Sequence, residues 1–124
     1  MAPGGVLLLK VPDKRYSFDA RRDRTPLEHL VNEYEHPERF DKRAHYADWV
    51  ENVGVQKRAT AEFEQAVQDL MDQDYSIHFH VWIDEDMRKI VDFTQQNWKL
   101  NWRLAVFWGA RFYRKETTIM LVRS

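Results

Sequence analysis

The chain has 124 residues, of which 44% are hydrophobic and 14% aromatic, so it is predicted to fold into one domain and not to be disordered throughout. The net charge is −1 at pH 7, with basic ends and an acidic stretch at residues 25–98, a pattern that indicates internal complementarity and predicts no nucleic-acid partner. Cysteine, a signal-peptide pattern and any apolar run of membrane-spanning length are missing, so we expect a cytoplasmic protein without disulfides and without a membrane partner.

The first predicted element is a strand at residues 6–11. A turn at residues 2–5 precedes it, and Pro12-Asp13 ends it. A nearly unbroken apolar run of this length is typical of a strand that is buried on both faces. Such a strand either lies at a sheet edge or pairs with polypeptide outside this sequence. In the second case, the isolated chain would expose unpaired backbone and apolar faces, and we would expect it to dimerise or aggregate.

A helical insertion is predicted at residues 25–73. Thr25, Pro26 and Glu28 have the pattern of an N-cap, a first-turn proline and a capping box. Apolar residues then recur at helical spacing in three stripes: Leu27, Leu30, Val31 and Tyr34; Tyr46, Trp49, Val50 and Val53; Phe63, Ala66, Val67, Leu70 and Met71.

The remaining elements are a strand, a helix and a hairpin. Residues 77–83 alternate between apolar and polar side chains, which predicts a strand. Asp84 caps a fourth helix, and Glu85 and Asp86 follow in its first turn. Residues 102–108 and 117–122 predict an antiparallel hairpin. The predicted fold class is therefore α/β: one buried strand, a helical insertion, a strand, a helix and an antiparallel hairpin.

Four segments carry a resemblance to a known family. They are residues 3–9 (PGGVLLL), 11–19 (VPDKRYSFD), 25–30 (TPLEHL) and 77–82 (IHFHVW). Together they resemble the C-terminal half of a class I S-adenosylmethionine-dependent methyltransferase of the small-molecule type 11 group. The resemblance implies that residues 6–11 are the fifth strand of a Rossmann-like sheet. It also implies that the hairpin supplies the sixth and seventh strands, with the seventh antiparallel, and that the full enzyme is bacterial and acts on small-molecule or sugar-linked acceptors.

The cofactor-binding motif of that family has no counterpart in this sequence. Such enzymes hold S-adenosylmethionine with a Gly-rich loop after the first strand and an acid after the second. Gly4 and Gly5 precede a strand instead of following one. We therefore expect the acceptor-side portion of a methyltransferase, without a cofactor site and inactive alone. A separate chain could supply the cofactor half.

The alternative is a non-enzymatic α+β interaction module. In that case the chain would bind a partner, or a second copy of itself, through the helix face at residues 27–34 or at residues 46–53. A stable monomer with a closed core would favour this alternative.

The resemblance places acceptor-facing groups directly after the fifth strand. Asp13 is therefore a candidate catalytic residue, and Lys14, Arg15 and Tyr16 are candidate substrate-binding residues. The alternative is that Pro12-Asp13 only forms a turn and that the two basic side chains are solvated. Arg24 is a further substrate-binding candidate, because together with Arg21 and Arg22 it could clamp a phosphate or carboxylate. The alternative for these arginines is an exposed charge run.

Two histidines are candidate catalytic bases. His29 and His80 qualify because a neutral imidazole near pH 7 can accept a proton, although either could simply be packed or exposed. His78 is a substrate-binding candidate that would lie beside His80 on one face of the predicted strand. A zinc site would need at least a third protein ligand, which Asp84 or Glu85 could supply, but the motif is too sparse to indicate one. The sequence therefore predicts no metal site.

Overall fold

The computed structural model describes residues 1–54 and 56–124, and the chain forms two units. Unit 1 comprises Met1–Ser17 and Trp82–Ser124, and unit 2 comprises Phe18–Val81. In chain order the helices and strands are β1 (Val6–Pro12), α1 (Leu27–Glu35), α2 (Lys42–Asn52), α3 (Ala61–Gln73), α4 (Asp84–Gln96), β2 (Trp102–Trp108) and β3 (Glu116–Arg123).

The sheet of unit 1 has the order β1-β3-β2. β3 is antiparallel to both neighbours, with Leu121 opposite Leu7 on one side and opposite Leu104 on the other. It follows that β1 and β2 run parallel to each other. The predicted antiparallel hairpin is confirmed, and the structure as a whole is mixed α/β.

The core of unit 1 lies between this sheet and α4. Met87 and Val91 of α4 are buried against Ile119 and Leu121 of β3. The first turn of α4 carries three acids. Its N-cap is Ile83 and not the predicted Asp84, and the Asp86 carboxylate accepts a hydrogen bond from the Ile83 backbone at 3.0 Å. Negative charge at this end of a helix is favourable because it meets the positive end of the helix dipole.

β1 is packed on one face only, so the prediction of a strand buried on both faces is wrong. Leu7, Leu9 and Val11 pack against the core of unit 1, whereas Val6 and Leu8 are 57% and 56% exposed. Successive side chains of a strand point to opposite faces of its sheet. The sequence did not reveal this, because both faces of β1 carry apolar residues.

Unit 2 has its own core, formed where α2 and α3 pack together. Four buried residues define it: Tyr46 and Val50 on α2, and Phe63 and Val67 on α3. Both helices begin at the expected kind of cap, since the Asp41 carboxylate accepts from the Ala44 backbone at 3.0 Å, and the Thr60 hydroxyl accepts a corresponding bond in α3. The predicted stripes of both helices are thus confirmed. The α2 face at residues 46–53 is committed to this core, against the suggestion that it binds a partner.

The start of α1 differs from the prediction. Pro26 is the N-cap, without a side-chain hydrogen bond, so the predicted capping box of Thr25 and Glu28 does not form. The Thr25 hydroxyl instead accepts from the Val81 backbone at 2.9 Å, and the Thr25 backbone donates to the Val81 carbonyl at 2.7 Å. Thr25 is therefore used to fix a distant segment of unit 2.

Residues 77–83 do not form a strand, so that prediction is wrong. The segment is extended, but side chains satisfy carbonyl oxygens that a neighbouring strand would otherwise pair. Arg22 donates to the carbonyls of His78 and Phe79 at 2.5 and 3.1 Å. The hydroxyl of Tyr46 donates to the nearby Tyr75 carbonyl at 2.6 Å. Alternating polarity cannot distinguish a strand from an extended segment that is held by side chains.

Candidate functional site

Four side chains from three parts of unit 2 meet around one carboxylate. His29 and Glu33 lie one turn apart on α1, His45 lies on α2, and His80 lies in the extended segment after α3. We call these four residues the histidine–glutamate cluster. Their nitrogen and oxygen ligand atoms all lie within 4.8 Å of one another.

All three imidazoles of the histidine–glutamate cluster point their Nε2 atoms at Glu33. The distances from Nε2 to the nearest Glu33 oxygen are 2.7 Å for His29, 3.1 Å for His45 and 2.6 Å for His80. The Glu33 and His45 side chains are 10% and 11% exposed, whereas the His29 side chain is 44% exposed. The cluster is thus enclosed on the side of Glu33 and open on the side of His29.

Aromatic rings hold the imidazoles in place. Phe40 stacks on His45 with ring centroids 5.1 Å apart, and Phe79 contacts the same imidazole edge-on at 5.7 Å. His45 and His80 meet edge to face at 5.0 Å. These apolar contacts fix the orientation of the imidazoles and lower the local dielectric, which strengthens charged interactions at Glu33.

The cluster shifts the pKa values of Glu33 and His80 downwards. Burial alone would raise the pKa of Glu33, but hydrogen bonds from His45 and His80 outweigh it and keep the carboxylate charged. Burial is also the main reason why the pKa of His80 lies below its usual value, against the opposing pull of Glu33. Near pH 7 the site therefore combines a carboxylate with a neutral imidazole at His80.

Two cavities in unit 2 border the histidine–glutamate cluster. One, of about 280 Å³, is lined by His29, His45 and Glu33 together with Arg24 and Arg39. The other, of about 440 Å³, is lined by His80 and Glu33 and by mainly apolar side chains, namely Leu30, Tyr34, Pro37 and Phe40. The cluster thus has a charged side and an apolar side.

Arg22 is buried, so the prediction of an exposed arginine run is wrong at this position. It is 2% exposed and contacts the buried carboxylate of Asp19 at 2.9 Å and that of Asp48 at 2.7 Å. The Asp19 carboxylate also accepts a hydrogen bond from His78 Nδ1 at 2.7 Å, and Phe18 stacks on the His78 ring. His78 therefore belongs to the buried ion-pair group around Arg22 and not to the histidine–glutamate cluster.

Unit 1 carries a second polar group, where β1 ends. The carboxylate of Asp13, a residue only 1% exposed, accepts bonds from the backbone and guanidinium of Arg15 at 2.7–3.0 Å and from the Asp84 backbone at 3.1 Å. Arg15 also contacts the Asp84 carboxylate at 3.2 Å and lies over the Tyr16 ring at 5.5 Å. Lys14 is in the same short helical turn. Asp13 thus holds the turn, while Arg15 stays half-exposed.

The carboxyl end of β2 also lies next to Asp84. Gly109 directly follows β2, and a Cβ atom at that position would lie 2.5 Å from Asp84 Oδ2. Only glycine allows this approach without displacing the Asp84 side chain. The carboxyl ends of the parallel strands β1 and β2 therefore both adjoin the start of α4, and such strand ends are where open α/β sheets bind ligands.

Replacing Asp13 by asparagine is expected to make the free energy of unfolding decrease less steeply as the pH is lowered into the acid range. Burial would raise the pKa of Asp13, but the hydrogen bonds from Arg15 and Asp84 bring it below its usual value. The stabilisation from Asp13 is therefore complete above the pKa of the unfolded chain, about 3.9, and is lost as pH falls through the lower folded pKa. Urea unfolding at a series of pH values from about 6 to about 2 measures this slope.

The control for this measurement is Asp23→Asn, because Asp23 is an exposed carboxylate in the same half of the chain. We expect this variant to keep the slope of the parent protein. An Asp13→Asn variant whose stability falls as steeply with acid as that of the parent would contradict the expectation.

The structure brings together some of the predicted site residues. His29 and His80 meet in the histidine–glutamate cluster, and Arg24 lines the cavity beside His29. Asp13, Lys14, Arg15 and Tyr16 stay together in unit 1, and His78 pairs with Asp19. The sequence analysis missed Glu33 and His45, and it considered Arg22 only as part of a clamp or of an exposed charge run. Glu33 follows His29 by four residues on a predicted helix, a spacing that places both on one face.

Comparison of the chain with protein-family models, curated proteins and solved structures finds no significant match. Within the part of the chain that the structure describes, no helix has both the length and the hydropathy that crossing a bilayer requires.

Proposed function

We propose that this chain is the acceptor-binding portion of an S-adenosylmethionine-dependent methyltransferase that acts on small molecules. The observation that carries the proposal is the strand arrangement of unit 1. The last strand is antiparallel and lies between two strands that are parallel to each other. An antiparallel last strand is what the sequence resemblance implies for the seventh strand of that family.

The chain does not fit the cofactor itself. Its glycines are Gly4 and Gly5 before β1, Gly54 after α2, and Gly109 after β2 where Asp84 fills the adjoining space. None of these positions is a Gly-rich loop between a strand and a helix, which is what close approach to the cofactor needs. The contribution proposed for this chain is therefore the binding and orientation of the acceptor.

Arg15 is the residue best placed for acceptor binding in unit 1. Its guanidinium is fixed by Asp13 and Asp84, yet its side chain is 41% exposed at the carboxyl end of β1. A guanidinium held in this way can donate to a hydroxyl, carboxylate or phosphate without losing side-chain entropy. Lys14 and Tyr16 of the same turn would add further donors.

The test begins with the coding sequence on the 5′ side of the Met1 codon. We expect it, or an adjacent gene, to encode a Gly-rich strand–loop and an acid after the following strand. Thermal unfolding with S-adenosylhomocysteine then compares the 124-residue chain with the longer polypeptide or the two-chain complex, and homocysteine alone is the control ligand. A ligand at a hundred times its dissociation constant stabilises a protein by about 2.7 kcal/mol, which raises the midpoint clearly.

We expect the midpoint to rise for the complete protein and not for the 124-residue chain. A clear rise for the 124-residue chain would contradict the absence of a cofactor site. Failure of the complete protein to bind S-adenosylhomocysteine would overturn the methyltransferase proposal, and a cooperatively folded chain would then favour an interaction module.

A further inference from the structure

We propose that the histidine–glutamate cluster of unit 2 binds one divalent transition-metal ion of the zinc type. This goes beyond methyl transfer and does not depend on it. The argument rests on the identity of the four ligands, on their separations and on the three chain segments from which they come.

The four ligands suit one class of ion. Three imidazole nitrogens from His29, His45 and His80 and one carboxylate oxygen from Glu33 are the nitrogen and oxygen donors that Zn²⁺ takes in proteins. Calcium and magnesium prefer ligand sets made of oxygen atoms alone. Imidazole-rich sites favour zinc, copper, iron or nickel, so Zn²⁺ is the appropriate ion with which to test the cluster.

The separations are close to those of a tetrahedral site. Bonds of about 2.0–2.2 Å place neighbouring ligands of a tetrahedral zinc ion about 3.3 Å apart. The Nε2 atoms lie 2.6, 2.7 and 3.1 Å from the nearest Glu33 oxygens, and no pair of ligand atoms in the cluster is more than 4.8 Å apart. Binding of the ion would therefore change the distance between any two of the ligand atoms by about 1.5 Å at most. Small movements of both side chains in such a pair would supply this change.

The convergence on Glu33 also fits a cation. Glu33 is only 10% exposed, and a buried carboxylate requires a positive partner or several donors. In the structure, three imidazoles direct their Nε2 atoms at this single carboxylate. A bound dication would neutralise Glu33 in place of these contacts, with each imidazole offering its Nε2 lone pair to the ion and carrying its proton on Nδ1.

The bound ion would cross-link unit 2. Its ligands come from α1, from α2 and from the extended segment that contains His80. Four protein ligands fill a tetrahedral shell, which is the arrangement of structural zinc sites. Because the ion would use the lone pairs of His29 and His80, metal binding and proton transfer at these residues are alternative uses of the cluster.

The experiment is a zinc titration of the full chain, prepared without a histidine tag and stripped with a chelator. Competition with a chromophoric chelator measures stoichiometry and affinity, and Co²⁺ reports geometry, because a tetrahedral cobalt site absorbs visible light strongly. We expect one equivalent of Zn²⁺ to bind. At a hundred times its dissociation constant, Zn²⁺ should raise the folding equilibrium constant about 100-fold in denaturant unfolding.

Variants locate the site. His80→Ala and His45→Ala should weaken binding by at least about 100-fold, since loss of an outer-shell partner alone costs about 10–100-fold. His36→Ala is the matched control, because His36 is a half-exposed histidine on the same part of the chain whose imidazole lies 3.4 Å from a Glu38 carboxylate oxygen and is not part of the cluster. Glu33→Gln keeps the shape of the side chain and removes its charge, so it tests the site even if an alanine variant fails to fold.

Saturable binding of one equivalent that is lost in the cluster variants and kept in His36→Ala would support the proposal. Binding that does not saturate at one equivalent, or an equal loss in His36→Ala, would overturn it. Retention of full affinity in Glu33→Gln and His80→Ala together would overturn it as well. The result is independent of S-adenosylhomocysteine binding, so failure here leaves the methyltransferase proposal to its own test.

Discussion

Replacement of Arg22 by methionine is expected to destabilise unit 2 by about 3–5 kcal/mol, because it removes the guanidinium that balances the buried charge of Asp19. Arg22 is 2% exposed and pairs with the carboxylate of Asp19, which is 1% exposed. It also donates to the carbonyls of His78 and Phe79 in the extended segment at residues 77–83. Methionine fills much of the same volume, so the lost interactions and not a cavity would account for the effect.

Denaturant unfolding of the full chain measures this cost, with the exposed neighbour substituted as Arg21→Met for the control. We expect the control to change the free energy of unfolding by less than about 0.5 kcal/mol. Combination of Arg22→Met with Asp19→Asn should recover part of the loss, since the second change removes the buried negative charge that Arg22 balanced. A single Arg22→Met variant that loses less than about 1 kcal/mol would show that Arg22 is not the centre of a buried ion-pair group.

Replacement of Ile119 by alanine is expected to cost about 2–5 kcal/mol through loss of packing in unit 1. Ile119 lies on the central strand β3, is fully buried, and packs with Met87 and Val91 of α4. Alanine removes three carbon atoms from a place where strands on both sides limit relaxation. The cavity that remains therefore adds to the lost transfer free energy.

The control is Leu8→Ala on β1, because Leu8 is also an aliphatic residue of this sheet but is 56% exposed. Its expected cost is within about 0.5 kcal/mol. Both variants are compared by urea unfolding, with tryptophan fluorescence as the probe. Similar costs for Leu8→Ala and Ile119→Ala would mean that both faces of the sheet are packed in solution, as the sequence alone predicted for β1.

The elements that the sequence predicted well are those whose ends are marked by capping or turn residues. α3 begins after Thr60 and carries Phe63 and Val67 at helical spacing, and the structure has both features. β2 and β3 were found because β-branched and aromatic runs flank a turn. Residues 77–83 were misassigned because a period of two describes any extended backbone. What holds that segment is Arg22, which is far from it in sequence.

The candidate site was predictable only in part, for a similar reason. His29 and His80 could be selected as imidazoles beside apolar positions, and Glu33 shares the helix face of His29. His45 carried no local signal, because its role depends on how α2 packs within unit 2. Arg22 was assigned to a clamp or to an exposed charge run. The sequence showed neither that Asp19 is buried nor that the His78 carbonyl would lie within reach of the Arg22 guanidinium.

The division of the chain into units also determines the order in which the protein can fold. Unit 2 is one continuous stretch, so all of its contacts can form as soon as Val81 has left the ribosome. β1 is made before unit 2, yet it pairs with β3, which is made after unit 2, so Leu7 must wait for Leu121. Closing that loop is entropically expensive, so this pairing is expected to be slow. β1 is therefore the apolar segment that a nascent-chain chaperone would need to shield for longest.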